Sequence, residues 1–75
     1  MVSLIEYLVR AIASQPDEVV VEEEDRGDHI VIHVQCHEDD KGRIIGRDGR
    51  VANAMRSLLY VASTRAGVRA SLNIE

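Results

Sequence analysis

Phenylalanine and tryptophan are absent from this 75-residue chain, and tyrosine occurs only at Tyr7 and Tyr60. RRM, OB-fold and cold-shock surfaces stack bases on several exposed aromatics, so modules of that kind are excluded. Cysteine is equally scarce. Cys36 stands alone, which rules out a disulfide framework and a thiolate metal cluster and leaves a small, buried, apolar-like thiol. Apolar runs are only a few residues long, too short to span a bilayer, so no membrane role is expected. The opening residues Met1 to Glu6 lack the charged start, long apolar stretch and cleavage site of a secretory signal. Together these features point to the cytoplasm.

Catalytic groupings are missing too. Ser57, Ser63 and Thr64 have no histidine near them in sequence, and no G-K-[ST] phosphate motif occurs. His29, His33 and His37 recur every four residues, as metal ligands sometimes do. On a strand that interval is about 13 Å, at roughly 3.3 Å per residue, too far for one ion to bridge. They read as solvated strand residues, and neither an enzyme, a metal nor a cofactor is expected.

What the chain does have is a segregated charge. The net charge is −4. Residues 1–40 hold eleven acids and two bases, Arg10 and Arg26, whereas residues 41–75 hold seven bases against Asp48 and Glu75. A polyanion responds to the field within a Debye length, about 8 Å at physiological salt, and not to the total. Four of the nine bases, Lys41, Arg43, Arg47 and Arg50, fall within ten residues, and there a phosphate partner is expected.

Periodicity supplies the elements. Ser3-Leu4-Ile5-Glu6 has the form of a capping box, and Ile5, Leu8, Val9 and Ile12 share one helical face, which predicts a helix over residues 3–14 ended by Pro16. Val19-Val20-Val21 and the following acids read as a strand, and the acids suit a solvated sheet edge. Arg26-Gly27-Asp28 makes a turn, and Ile30 to Cys36 a second strand with Ile30, Ile32, Val34 and Cys36 on one face and Val31 among the residues of the other. Glu38 to Ile45 is a short helix with acids in its first turn, ended by Gly46 in a left-handed cap. Val51, Ala54, Met55, Leu58, Leu59 and Ala62 mark the face of a further helix closed by Gly67, and Val68, Ala70, Leu72 and Ile74 a last strand. The fold class is therefore α+β, in the order α-β-β-α-α-β, with a three-stranded mixed sheet and all helices packed on one face. Residues 1–75 form one domain with no linker, repeat or low-complexity segment.

Between the last two helices lies Gly46-Arg47-Asp48-Gly49. Paired glycines let the backbone turn sharply and keep side chains off a surface that a ligand approaches. The next helix then offers free N–H groups and the positive end of its dipole. Arg43, Arg47 and Arg50 surround the turn, and Ile44 or Ile45 supplies an apolar floor for a base. Alone, G-x-x-G is a weak signal, since many helix-turn-helix connections use glycine. Its setting is specific: Arg43-Ile44-Ile45-Gly46-Arg47-Asp48-Gly49-Arg50-Val51-Ala52-Asn53-Ala54-Met55, after a hairpin and before one last strand, resembles a KH domain. The element order is similar to the type II arrangement, and the whole chain resembles the short bacterial single-KH proteins of the KhpA family.

The resemblance implies a cytoplasmic binder of single-stranded RNA with a narrow cleft for about four nucleotides, clamped at the backbone by the G-x-x-G loop. Carried over by position, Gly46, Arg47, Asp48 and Gly49 are the clamp, Arg50 and Asn53 open the following helix, Lys41 and Arg43 flank the approach, and Ile45 belongs to the floor. It also implies a homodimer, or a heterodimer with a larger KH-containing protein. Chaperone, ribosome-associated factor and post-transcriptional regulator stay open as roles. Asp48 departs from the basic or polar residues usual in such loops: beside a phosphate it weakens binding, unless it caps the next helix and points away. The rival reading is a KH-fold interaction module with little RNA binding, dimerising through Tyr60, Leu59 and the outward Val20 and Val31.

Overall fold

The computed structural model describes residues 1–75. Helix α1 spans Val2–Ile12 and passes through a 3-10 turn at Pro16–Glu18 into strand β1, Val20–Asp25. Strand β2 covers Ile30–Gln35, helix α2 Glu38–Ile45, a second 3-10 turn Arg47–Gly49, helix α3 Arg50–Ala66 and strand β3 Ala70–Ile74. The order α-β-β-α-α-β is the expected one.

The sheet runs β1-β2-β3, with β1 antiparallel to β2 and β2 parallel to β3. Register follows the hydrophobic pattern. Ile30, Ile32 and Val34 lie beside Ala70, Leu72 and Ile74 and bury the same face. Against that face pack Ile5 and Val9 of α1, Ile44 of α2, and Met55 and Leu59 of α3, one contiguous core with Val19 at its margin. The parallel pair is joined by α2 and α3, the long crossover that parallel strands require.

Four local expectations change. The capping box does not form: Met1 is the N-cap, with no side-chain bond, and Ser3 lies inside the helix, which ends at Ile12. Met1 and Val2 pack on the core, and that contact draws the helix back past Ser3. Val19 is buried before the strand and does not belong to it. On α3 the buried residues are Ala52, Met55, Leu59 and Ser63, while Ala54 and Leu58 face outward. Two apolar stripes overlap on this helix, and the sheet takes the one with small residues at both ends, where Ser63 satisfies its hydroxyl on the Tyr60 carbonyl at 3.0 Å. Val31 points away from the helices as expected but is only 6% exposed. Its cross-strand partner is Glu24, whose carboxylate reaches past it to His33.

Candidate nucleic-acid interface

Helix α2 is short and is set up at its N-terminus. His37 caps it, Nδ1 accepting from the Asp39 N–H at 3.1 Å, and Glu38, Asp39 and Asp40 occupy the first turn, where the dipole favours acids. Asp40 departs from its neighbours. Its carboxylate is buried and accepts from the Ser14 N–H at 3.0 Å, the Ser14 hydroxyl at 2.7 Å and the Gln15 N–H at 3.0 Å. Those bonds, Ser14's first, hold its pKa below the usual carboxylate value against the opposing effect of burial. Close by, Cys36 is half-buried, and burial, then the Asp40 charge, push its thiol pKa up, consistent with an unreactive, protonated group.

The helix runs straight into the loop. Gly46 donates to the Gly42 carbonyl at 2.8 Å and takes φ 80°, ψ 169°, a positive φ with an extended ψ and not the left-handed cap expected from sequence. A Cβ there would lie 2.5 Å from Val51 Cγ2 and 2.8 Å from the Val51 nitrogen. Glycine is thus required twice over, by backbone conformation and by the close approach of α3. Gly49 is left-handed at φ 74° and donates to the Gly46 carbonyl at 3.1 Å, closing the turn. Asp48 is the one non-glycine residue with positive φ, at 57°, a conformation aspartate tolerates better than most residues. No side chain caps α3, so Asp48 does not play the capping role. Its carboxylate stands exposed on the loop among the arginines.

The residues named from the sequence lie on the end of α2, the turn and the start of α3. Lys41, Arg43, Arg47, Arg50 and Asn53 are exposed, Gly46 and Gly49 half-buried. The two isoleucines divide: Ile44 is wholly buried in the core and Ile45 is 36% exposed beside the loop. Ile45 is therefore the apolar surface available to a ligand. None of Lys41, Arg43, Arg47 and Arg50 has a carboxylate within 4.0 Å; the arginines that do are Arg10, with Glu6, and Arg26, with Glu24, both in the first half of the chain. Arg56, one turn beyond Asn53, donates to the Asn53 Oδ1 at 3.3 Å and extends the basic margin along α3. Sequence reasoning passed over Arg56, although its spacing of three from Asn53 on a helix carried the signal. The surface concavities lie elsewhere, on the open face of the sheet, at the far hairpin, along α1 and at the end of α3, and none is lined by residues 41–53. The loop is thus an open surface edged by unpaired cations.

The histidines each meet an acid instead of one another. His29 Nδ1 lies 2.8 Å from Asp28, His33 Nε2 2.7 Å from Glu24, and His37 Nδ1 3.6 Å from Asp39. His33 is only partly solvated, since it sits mid-sheet between Glu24 and Asn73, whose Nδ2 is 3.3 Å from its Nδ1.

Comparison with known proteins agrees with this geometry. The family model described as KhpA/KhpB, KH domain, matches residues 2–74. The chain is 40% identical over 74 residues to the RNA-binding protein KhpA of Halalkalibacterium halodurans, covering 99% of this chain and 97% of that protein. It is 35% identical over 74 residues to the RNA-binding protein KhpA of Oceanobacillus iheyensis, covering 99% of each. It is 44% identical over 61 residues to the RNA-binding protein KhpA of Mycobacterium tuberculosis, covering 79% of this chain and 74% of that protein. No solved structure gives a significant match. The chain belongs to the KhpA/KhpB KH-domain family.

Proposed function

We propose, taking membership of the KhpA/KhpB KH-domain family as the premise, that this chain binds single-stranded RNA and clamps its backbone at Gly46–Gly49. One observation carries the reading. Four cations ring a two-glycine helix-loop-helix with no carboxylate partner, while both arginines of the first half are paired. Unpaired guanidinium groups suit phosphates, which take charge-assisted, often bidentate hydrogen bonds from arginine. Arg47 and Arg50 hold the backbone, Lys41 and Arg43 line the approach, Asn53 bonds a sugar or base edge, and Ile45 supports a base. Asp48 opposes the nearest phosphate and keeps affinity modest. Residues 1–75 act as one KH unit in the cytoplasm, as an RNA chaperone or post-transcriptional regulator, with no catalytic step.

A second copy of the chain, or a larger KH-containing protein, is the protein partner. Ala54, Leu58 and Val61 form an exposed stripe on α3, spaced i, i+4, i+7, with Leu58 47% and Val61 52% exposed. This stripe replaces the patch expected from sequence, because Leu59 and Val31 are buried. Pairing two weak RNA sites raises avidity without new contacts.

The test is fluorescence anisotropy of a short labelled RNA, at low and physiological salt, for the wild type and Arg47→Asp. Salt-sensitive binding that the variant loses supports the loop as the site. Equal binding by both proteins, or none by the folded wild type, removes it.

A further inference from the structure

The helix that carries the loop is intrinsically weak. It is eight residues long, about two turns, and Gly42 sits at its centre. Gly42 has no positive φ, and a Cβ there would meet nothing within 4 Å. Neither conformation nor space requires this glycine, and it lowers helix stability relative to alanine. Lys41, Gly42, Arg43 and Ile45 all face solvent, so the outer surface of α2 gains nothing from packing.

Two residues hold it. Asp40 and Ile44 are the buried positions of α2, four apart and so on one face. Ile44 enters the apolar core two residues before Gly46. Asp40, at the opposite end, takes both N–H groups and the hydroxyl offered by Ser14 and Gln15, where the chain leaves α1. Pro16, which opens the following 3-10 turn, has no N–H to give, so the donors just ahead of it define that junction. A buried carboxylate is a poor source of stability compared with an apolar side chain of similar size. Three directional bonds instead fix an orientation. Without Asp40, α2 is held only toward its C-terminal end, by Ile44 and by the approach of Gly46 to Val51, and its N-terminal end is left to tilt.

We propose that Asp40 is the positioning residue of the glycine loop: tied to Ser14 and Gln15, it sets the tilt of α2 and hence where Gly46–Gly49 stands against α3 and the sheet. The consequence for RNA rests on the function proposed above; the positioning itself does not. The test compares wild type, Asp40→Asn, Ser14→Ala and Asp40→Asn with Gly42→Ala, each by amide hydrogen exchange and by RNA anisotropy well below the melting temperature. Asn has the same shape, but with its oxygen kept toward Ser14 it turns a donor toward the Gln15 N–H. Exchange over residues 41–50 is expected to rise about tenfold in Asp40→Asn while β2 amides stay protected, with RNA affinity falling about tenfold. Stiffening α2 through Gly42→Ala recovers part of both changes, which a general stabiliser of the core would not allow. Ser14→Ala, with one of three bonds removed, gives a smaller change in the same residues and serves if Asp40→Asn fails to fold. Unchanged exchange at 41–50, or exchange raised equally throughout the domain, overturns the proposal. Local loosening in a protein whose wild type binds no RNA supports the positioning role and removes the RNA reading instead.

Discussion

The open face of the sheet and the margin built by α2, the loop and α3 treat charge in opposite ways. On the sheet, the central charged and polar groups are bonded to one another, and Glu22, which is not, is an acid. Arg26 donates to Glu24 at 3.0 and 3.2 Å, Glu24 meets His33 at 2.7 Å, and Gln35 bonds Glu75 at 2.8 Å. The network crosses all three strands, from Glu24 through His33 to Asn73. At the loop margin Lys41, Arg43, Arg47 and Arg50 are exposed and bonded to no acid. A surface of bonded groups and leftover acid offers nothing to a polyanion, and one of unbonded bases is set up to receive charge from outside. The net charge of −4 hides this division because it averages over both regions.

The largest effect that separates them is steric. Gly46→Ala puts a Cβ within 3 Å of Val51 and strains a positive φ, and should cost roughly 2–4 kcal/mol in chemical denaturation. Gly27→Ala, in the hairpin beside the sheet, also has positive φ but open space around it, so about 1–2 kcal/mol is expected there. Equal costs at both glycines would mean that the approach of α3 to the loop adds nothing.

Charge reversal comes next. Arg47→Asp should weaken RNA binding about tenfold or more and lower the slope of log affinity against log salt by about one. Glu22→Lys on the sheet should change affinity less than about threefold if the sheet takes no part in binding. A comparable gain from Glu22→Lys would break the distinction between the two surfaces. Asp48→Asn is the milder counterpart. Asparagine tolerates the left-handed backbone, so melting temperature holds while RNA affinity rises about two- to fivefold as the opposing charge disappears.

The smallest expected effect belongs to the sheet. The Glu24 pKa is pulled from 4.5 to about 2, first by the hydrogen bond it accepts from Arg26 and then by the one it accepts from His33. A carboxylate whose folded pKa is depressed stabilises fully above its unfolded value, and that stability is lost as pH falls through the folded one. The melting temperature should therefore drop between about pH 4.5 and pH 2, and Glu24→Gln should flatten part of that fall. The group is exposed, so a modest change is expected. An unaltered acid limb in Glu24→Gln would show that the network contributes nothing.

Sequence made α2 and the loop legible because the signals there are local. Acids crowd the first turn and glycines mark both ends of the turn, so Glu38–Ile45 is found with its observed bounds. The alternation of β2 and β3 likewise placed Ile32 and Leu72 in the core. What stayed hidden depends on contacts distant in sequence. Glu38, Asp39 and Asp40 are chemically alike and stand in a row, and only the return of Ser14 and Gln15 makes Asp40 the buried one. Ile44 and Ile45 are the same residue type side by side, and only the direction of the core divides them. The face of α3 was misread for a similar reason. Leu58 is more apolar than Ser63, yet the sheet selects by fit, and Ser63 is the one buried.

The central claim is that the margin of unpaired bases, and not the acidic sheet, receives the nucleic acid. Amide chemical-shift mapping of the labelled protein, titrated with a short single-stranded RNA, tests it most directly. The account predicts shifts gathered over residues 41–56, led by Gly46 to Arg50, with Glu22, Glu24, His33 and Asn73 unmoved. Shifts concentrated on those sheet residues, with Gly46 to Arg50 still, would contradict it.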